Sequence, residues 1–294
     1  MSRESKRRMA VIFIWLGAAA MSLILALIIG NALGDAADKN AGELISGGKP
    51  PVYSYAGEEV KPISAHCLNG LTSKAVAALD PSVEAVSVTL RKLTGEPAYH
   101  SPLALAVTGN AGGSADLRTI VGELKARGIY VSGVFHSKFG SQSNENLREG
   151  VLGYEASLIC EALECGVDEI VVMGLPTDSA GVAEASLLFK RVRERHADAV
   201  LGAAMPYSLL ESGAAAAFIE NYGGFASFLA VNTEGLMSTA ETSAGLAEKY
   251  MIYFERYPLR LVIEAADKSN GRLQMEKLAA IGIYNVQCVP VKVN

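Results

Sequence analysis

Residues 148–178 read REGVLGYEASLICEALECGVDEIVVMGLPTD, and the fold is decided by this stretch. Leu152, Leu158, Ile159 and Leu163 fall on one helical stripe, and Gly166 stands where such a helix would stop. Ile170, Val171, Val172 and Met173 then run without polar alternation, as a strand covered on both faces does. Gly174-Leu175-Pro176 closes the strand. A helix leading into a fully covered strand is the repeating unit of a parallel sheet.

The unit recurs on both sides. Strands are predicted over 60–67, 85–90, 129–135, 170–173, 200–205, 226–231, 259–265 and 283–289. Helices are predicted between them over 72–79, 116–127, the opening stretch, 182–196, 213–222, 243–257 and 273–280. Asp116 is the expected N-cap of the second helix and Gly128 its stop. Eight strands separated by seven helices, with no helix after the last strand, predict an α/β fold, a (β/α)8 TIM-type barrel over 59–294. The alternative is an open doubly wound sheet, which usually has fewer strands and leaves two edges to protect. Its Gly-rich phosphate loop is missing: Ala111-Gly112-Gly113 follows no strand and reads as a loop hinge.

Ahead of the barrel, Arg3, Lys6, Arg7 and Arg8 form a basic tail (1–8), followed by a charge-free stretch over 9–30. That length suffices to cross a bilayer as a helix, and the flanking charges put the N-terminus in the cytoplasm. The expectation is a single-pass membrane anchor, a Gly-, Ala- and Pro-containing linker over 31–58, and a barrel outside the cytoplasm. A cleaved signal peptide is the competing reading, with Ala32 and Gly34 near the cut. A net charge of −5 and a pI near 5.5 give no basic footprint for nucleic acid. Cys67, Cys160, Cys165 and Cys288 match no zinc spacing, and no metal or cofactor is expected. They read as small buried hydrophobes. Outside the cytoplasm Cys67 and Cys288 have a second reading, a disulfide across the seam where strands one and eight meet.

In such barrels the chemistry sits at the C-terminal strand ends. Glycoside hydrolysis needs two carboxyl groups flanking the scissile bond. Glu234 and Glu264 lie on adjacent strands and form the best pair, with Asp178 and Glu211 on longer loops in reserve. Loop carboxylates are commonly solvated or paired, but Glu264 directly follows the apolar run Leu261-Val262-Ile263 and so needs a partner or a raised pKa. Ligand-binding candidates are His66, Lys92 beside Arg91, Tyr99, His136, Asp178, Tyr207 and Asn232, with Tyr284 a further aromatic platform. For His66 and His136 a hydrogen-bonded structural role competes with ligand binding.

Three blocks carry a resemblance: AVSVTLRKLTGEPAYHSP (85–102), DLRTIVGELKARGIYVSGVFHSKF (116–139) and YEASLICEALECGVDEIVVMGLP (154–176). Together they resemble a bacterial, membrane-anchored family assigned as glycosyl hydrolases, barrels distantly similar to the alpha-amylase type. The resemblance implies a barrel tethered by one N-terminal helix and acting on a glycan. It also implies V-I-D-x-K-D at strand two, where this chain has Val88-Thr89-Leu90-Arg91-Lys92-Leu93. At strand four it implies D-E-I-x-F-D-Y-x-R-F-P, where this chain has Asp168-Glu169-Ile170-Val171-Val172-Met173-Gly174-Leu175-Pro176. Asp168 and Glu169 are kept at the strand's start, a place for capping or pairing. The rim aspartate is replaced by Met173, which can neither move a proton nor act as a nucleophile.

Three functions are therefore weighed: a non-catalytic surface barrel binding a glycan or protein partner, an active hydrolase using Glu264 and Glu234, and a structural or regulatory scaffold. An open aromatic groove at the mouth would favour sugar, and a filled apolar mouth would favour the scaffold.

Overall fold

A computed structural model describes residues 62–138, 145–233, 236 and 240–290. The expected anchor over 9–30, the linker and Glu234 lie outside the described residues. Eight parallel strands close in sequence order into a barrel. They are β1 (Ser64–Cys67), β2 (Ala85–Arg91), β3 (Tyr130–His136), β4 (Glu169–Met173), β5 (Val200–Pro206), β6 (Phe228–Asn232), β7 (Arg260–Ala265) and β8 (Val286–Pro290). The seam is closed by β1 against β8, with Ser64 opposite Val286 and Ala65 opposite Gln287.

The helices are α1 (Ser73–Ala77), α2 (Pro102–Thr108), α3 (Leu117–Ala126), α4 (Glu145–Glu164) and α5 (Ser179–Arg195). They continue with α6 (Ser208–Glu211), α7 (Ala215–Gly223), α8 (Ala240–Lys249), α9 (Met251–Arg256) and α10 (Lys268–Ala280). Asp116 caps α3 through its side chain, and Gly128 and Gly166 adopt the positive φ values of 72° and 96° that end helices. Expectation and structure differ in several places. The helix expected over 243–257 is two, broken at Tyr250. Helices α2 and α6 come in addition to the seven expected. The strand expected from residue 60 begins at Ser64, and the one expected from 283 begins at Val286, after a turn at Gly282. Nor is Ala111-Gly112-Gly113 a hinge. A Cβ on Gly113 would sit 2.2 Å from the Ala98 carbonyl oxygen, so this loop is pressed against the backbone of 97–99.

Two apolar regions result. The larger fills the space between strands and helices. The smaller, Val134, Val171, Met173, Ala204, Phe228, Ala230, Val262 and Val289, fills the barrel itself. Alternation along each strand sets the inward set. Low in the barrel, Arg260 forms a fully buried ion pair with Glu169. Glu169 also accepts from Ser132 Oγ at 2.6 Å and Tyr130 Oη at 3.1 Å. The Arg260 guanidinium stacks 4.0 Å from the Phe228 ring centroid and donates to Asn285 at 3.0 Å. A Cβ on Gly202 would meet that ring at 2.4 Å. One step higher, Gln287 donates to Ser87 Oγ at 3.1 Å, and its own Oε1 accepts from no described group. The retained strand-start acids are thus structural: Glu169 neutralises an interior arginine, and Asp168 pairs with Lys125 while accepting from the Val131 amide at 2.7 Å.

Candidate functional site at the barrel mouth

The same alternation that turns Val134, Met173, Ala230, Val262 and Val289 inward places Thr89, His136, Asn232 and Glu264 around the upper interior. These are the strand ends where barrels carry function. His136 is opposite Met173 in the β3–β4 ladder, and both are buried. Among the described inward-facing strand ends, Glu264 is the one carboxylate.

Glu264 is held from behind. Gln274 of α10 donates to the Glu264 carbonyl at 2.7 Å, and its own oxygen accepts from Ser243 of α8 at 2.5 Å. The residue is 9% exposed. On the next strand, the Asn232 carbonyl accepts from the Tyr207 amide at 3.0 Å, tying the ends of β5 and β6 together. Tyr207 is half-buried and packs against the outer core.

The ends of β2 and β3 are bound to α4 by a buried collar. Arg91 pairs with the fully buried Glu155 and donates to the His136 carbonyl at 3.0 Å and the Gly95 carbonyl at 2.8 Å. Glu155 accepts further from Ser137 Oγ and the Lys138 amide, both at 2.6 Å. These three acceptor bonds balance the buried charge. Arg91 is thereby spent on structure, and His136 is fixed through its backbone. The collar was not foreseen, because Glu155 lies mid-helix with nothing local to distinguish it.

The end of β4 is a packing site. Gly174, at φ 71°, crosses so close to β3 that a Cβ would lie 2.9 Å from the Ser137 carbonyl oxygen. Leu175 enters the outer core, and the Pro176 carbonyl accepts from Tyr222 Oη at 2.6 Å. Pro176 in turn packs where a Cβ on Gly181 would be, 2.4 Å away. Met173 beneath is fully buried.

Other expected residues lie elsewhere. Asp178 is the N-cap of α5, accepting from the Gly181 amide at 2.9 Å. Glu211 reaches Lys249 at 4.0 Å on the surface. Tyr99 is buried in the outer core, its hydroxyl 3.4 Å from Glu161; burial, then that carboxylate, pushes the phenol up. It is therefore no platform at the mouth. Tyr284 is exposed but precedes β8, at the opposite end of the barrel. Lys92 is exposed in a tight turn after β2, where the Gly95 amide donates to its carbonyl. His66 is half-buried, and burial, then Lys268 and Arg272, lower its pKa. It pairs with Val86, an outer-core residue, and so belongs to the helix side of β1 rather than to the mouth. His136, Asn232 and Glu264 are the expected residues that stand at inward strand ends, on β3, β6 and β7.

No group of three or more His, Cys, Asp or Glu among the described residues is placed to hold a metal. No described helix is long and apolar enough to cross a membrane.

Closed parallel strand order with helices outside defines the class: this is a (β/α)8-barrel protein. No protein-family model and no curated protein matches the chain. Solved structures similar to it include the catalytic domain of a mannanase from Streptomyces sp. SirexAA-E, at 12% identity and a TM-score of 0.47, covering 83% of this chain and 81% of that one. A protein of Coccidioides immitis named as a deoxyribose-phosphate aldolase is similar at 14% identity and a TM-score of 0.46, covering 86% and 91%.

Proposed function

We propose that this chain is a glycosidase-like barrel whose mouth binds a glycan without hydrolysing it. The observation that carries the reading is that, among the described strand ends, Glu264 at the end of β7 is the one inward carboxylate, while the corresponding position of β4 is the buried Met173. Hydrolysis by the usual route needs two carboxyl groups about 5–9 Å apart. A carboxylate, an imidazole and an amide instead supply acceptors and donors for sugar hydroxyls. The resemblance of the three sequence blocks favours a glycan over a protein partner at the same rim. The charge-free stretch over 9–30 behind a basic tail would tether the barrel to the membrane with the mouth outside the cytoplasm.

The test uses the full chain in detergent against a panel of wall and storage polysaccharides. Retardation in at least one gel-embedded polysaccharide, weakened at least several-fold by Glu264→Gln, is expected, with no release of reducing sugar. Sugar release that Glu264→Gln abolishes would overturn the reading.

A second reading, an active hydrolase using Glu264 and Glu234, is favoured by one observation. Glu264 faces inward on β7, and its neighbour β6 ends at Asn232, two residues before Glu234. It predicts that Glu264→Gln and Glu234→Gln each abolish turnover of an aryl glycoside.

A further inference from the structure

Cys67 ends β1 and Cys288 lies in β8, the two strands that close the barrel. The register pairs Ala65 with Gln287, so the next rung sets Cys288 beside His66, one residue from Cys67. Neighbouring strands run about 4.8 Å apart, and a one-residue diagonal stays within the roughly 4.4–6.8 Å that a disulfide needs between Cα atoms.

Cys67, the last residue of β1, leaves the strand's alternation for the outer core, where its thiol meets that of Cys288. A Cβ on Gly271 of α10 would lie 2.9 Å from Cys288 Sγ, so the glycine makes room for that thiol. Cys67 lines a pocket of about 280 Å³ together with Leu68, Thr72 and Lys268, the last one turn before Gly271 on α10. Both cysteines belong to the outer core and are free thiols, with Cys288 fully buried and Cys67 slightly open. Cys160 and Cys165 do not share this arrangement, because five residues of helix turn them about 140° apart.

We propose that Cys67 and Cys288 are an oxidisable pair that locks the first strand to the last when the chain meets a small-molecule disulfide. Cys67, the thiol on the pocket, attacks one sulfur of a disulfide such as oxidised glutathione and releases one glutathione thiolate. Cys288 then attacks the Cys67 sulfur of the mixed disulfide and displaces the second. Two cysteine thiols are oxidised, one disulfide is reduced to two thiols, and the protons leave with the released sulfurs. Contact with Cys288 and burial hold the Cys67 thiol well above its ordinary pKa, so the first attack is slow at neutral pH and quickens as the pH rises.

The experiment is native oxidation of the full chain with oxidised glutathione, read by intact mass and by peptide mapping without reduction. A fall in mass by two hydrogens, a peptide joining Cys67 to Cys288, and a higher midpoint of thermal unfolding than in the reduced chain are expected. Cys67→Ser and Cys288→Ala, either sufficing if the other fails to fold, should abolish all three changes, whereas Cys165→Ser should leave them intact. Retention of four free thiols, a stable glutathione adduct on Cys67 with no linked peptide, or a link between other cysteines would each overturn the proposal.

Discussion

Arg260 sits at the start of an apolar strand, and nothing in the periodicity of 259–265 marks it as the largest fully buried side chain in the barrel. Its partner was half legible: the two acids opening β4 read as capping or pairing residues, but which cation Glu169 meets depends on a strand 91 residues away. Breaking a buried pair strands the remaining charge, so Glu169→Ala should cost about 3–5 kcal/mol in urea unfolding. Changing both members, Glu169→Leu with Arg260→Met, should recover much of that loss, since the packed apolar pair leaves no charge behind. A single change costing under about 1 kcal/mol would mean that water reaches the pair. His66 makes a separate prediction about pH. Burial, then Lys268 and Arg272, depress its pKa below the ordinary 6.5. As the pH falls through that value the unfolded chain takes a proton that the fold resists, so stability drops on acidification and is unaffected well above it. Titration of its ring proton by NMR should give a midpoint below 6.5, and His66→Gln should flatten that part of the acid limb. A raised midpoint would contradict the placement.

At the scale of elements, α4 and β4 were readable because one is long and periodic and the other is continuously apolar between clear stops. Helix α2 was not, because seven residues of PLALAVT are too few to show a period. Its signals were local: Ser101 as N-cap, Pro102 in the first turn and Gly109 in the left-handed region after it. The Gly112-Gly113 pair was misread because close backbone approach and flexibility ask for the same residue. Two glycines separate these uses. Gly122 lies exposed inside α3 with open space around it, and Gly122→Ala should stabilise by about 0.5–1 kcal/mol. Gly113→Ala, which would drive a methyl to 2.2 Å from the Ala98 carbonyl oxygen, should destabilise by roughly 1–3 kcal/mol. Thermal unfolding of both variants checks the pair, and a neutral Gly113→Ala would show the loop free to move.

For the whole molecule, the eightfold strand-and-helix count was enough to expect closure, and closure occurs with β1 against β8. The mouth was less legible, since which strand-end residues face one another follows from register and tilt. Glu264, His136 and Asn232 were named from the sequence and end inward positions of β7, β3 and β6, while Tyr99, Asp178 and Arg91 are taken by the outer core, a helix cap and the Glu155 collar. Met173 is fully buried, and the Gly174 turn after it is pressed onto the Ser137 backbone, so the end of β4 is a packing site. Restoring an acid alone should therefore not restore turnover: Met173→Asp is expected to destabilise a site surrounded by apolar groups, and to release no sugar. The most direct measurement is reducing-sugar release by the full chain and by Glu264→Gln on the polysaccharide that the chain retains. Binding without release, weakened by Glu264→Gln, is the predicted result; release that disappears with Glu264→Gln would contradict it.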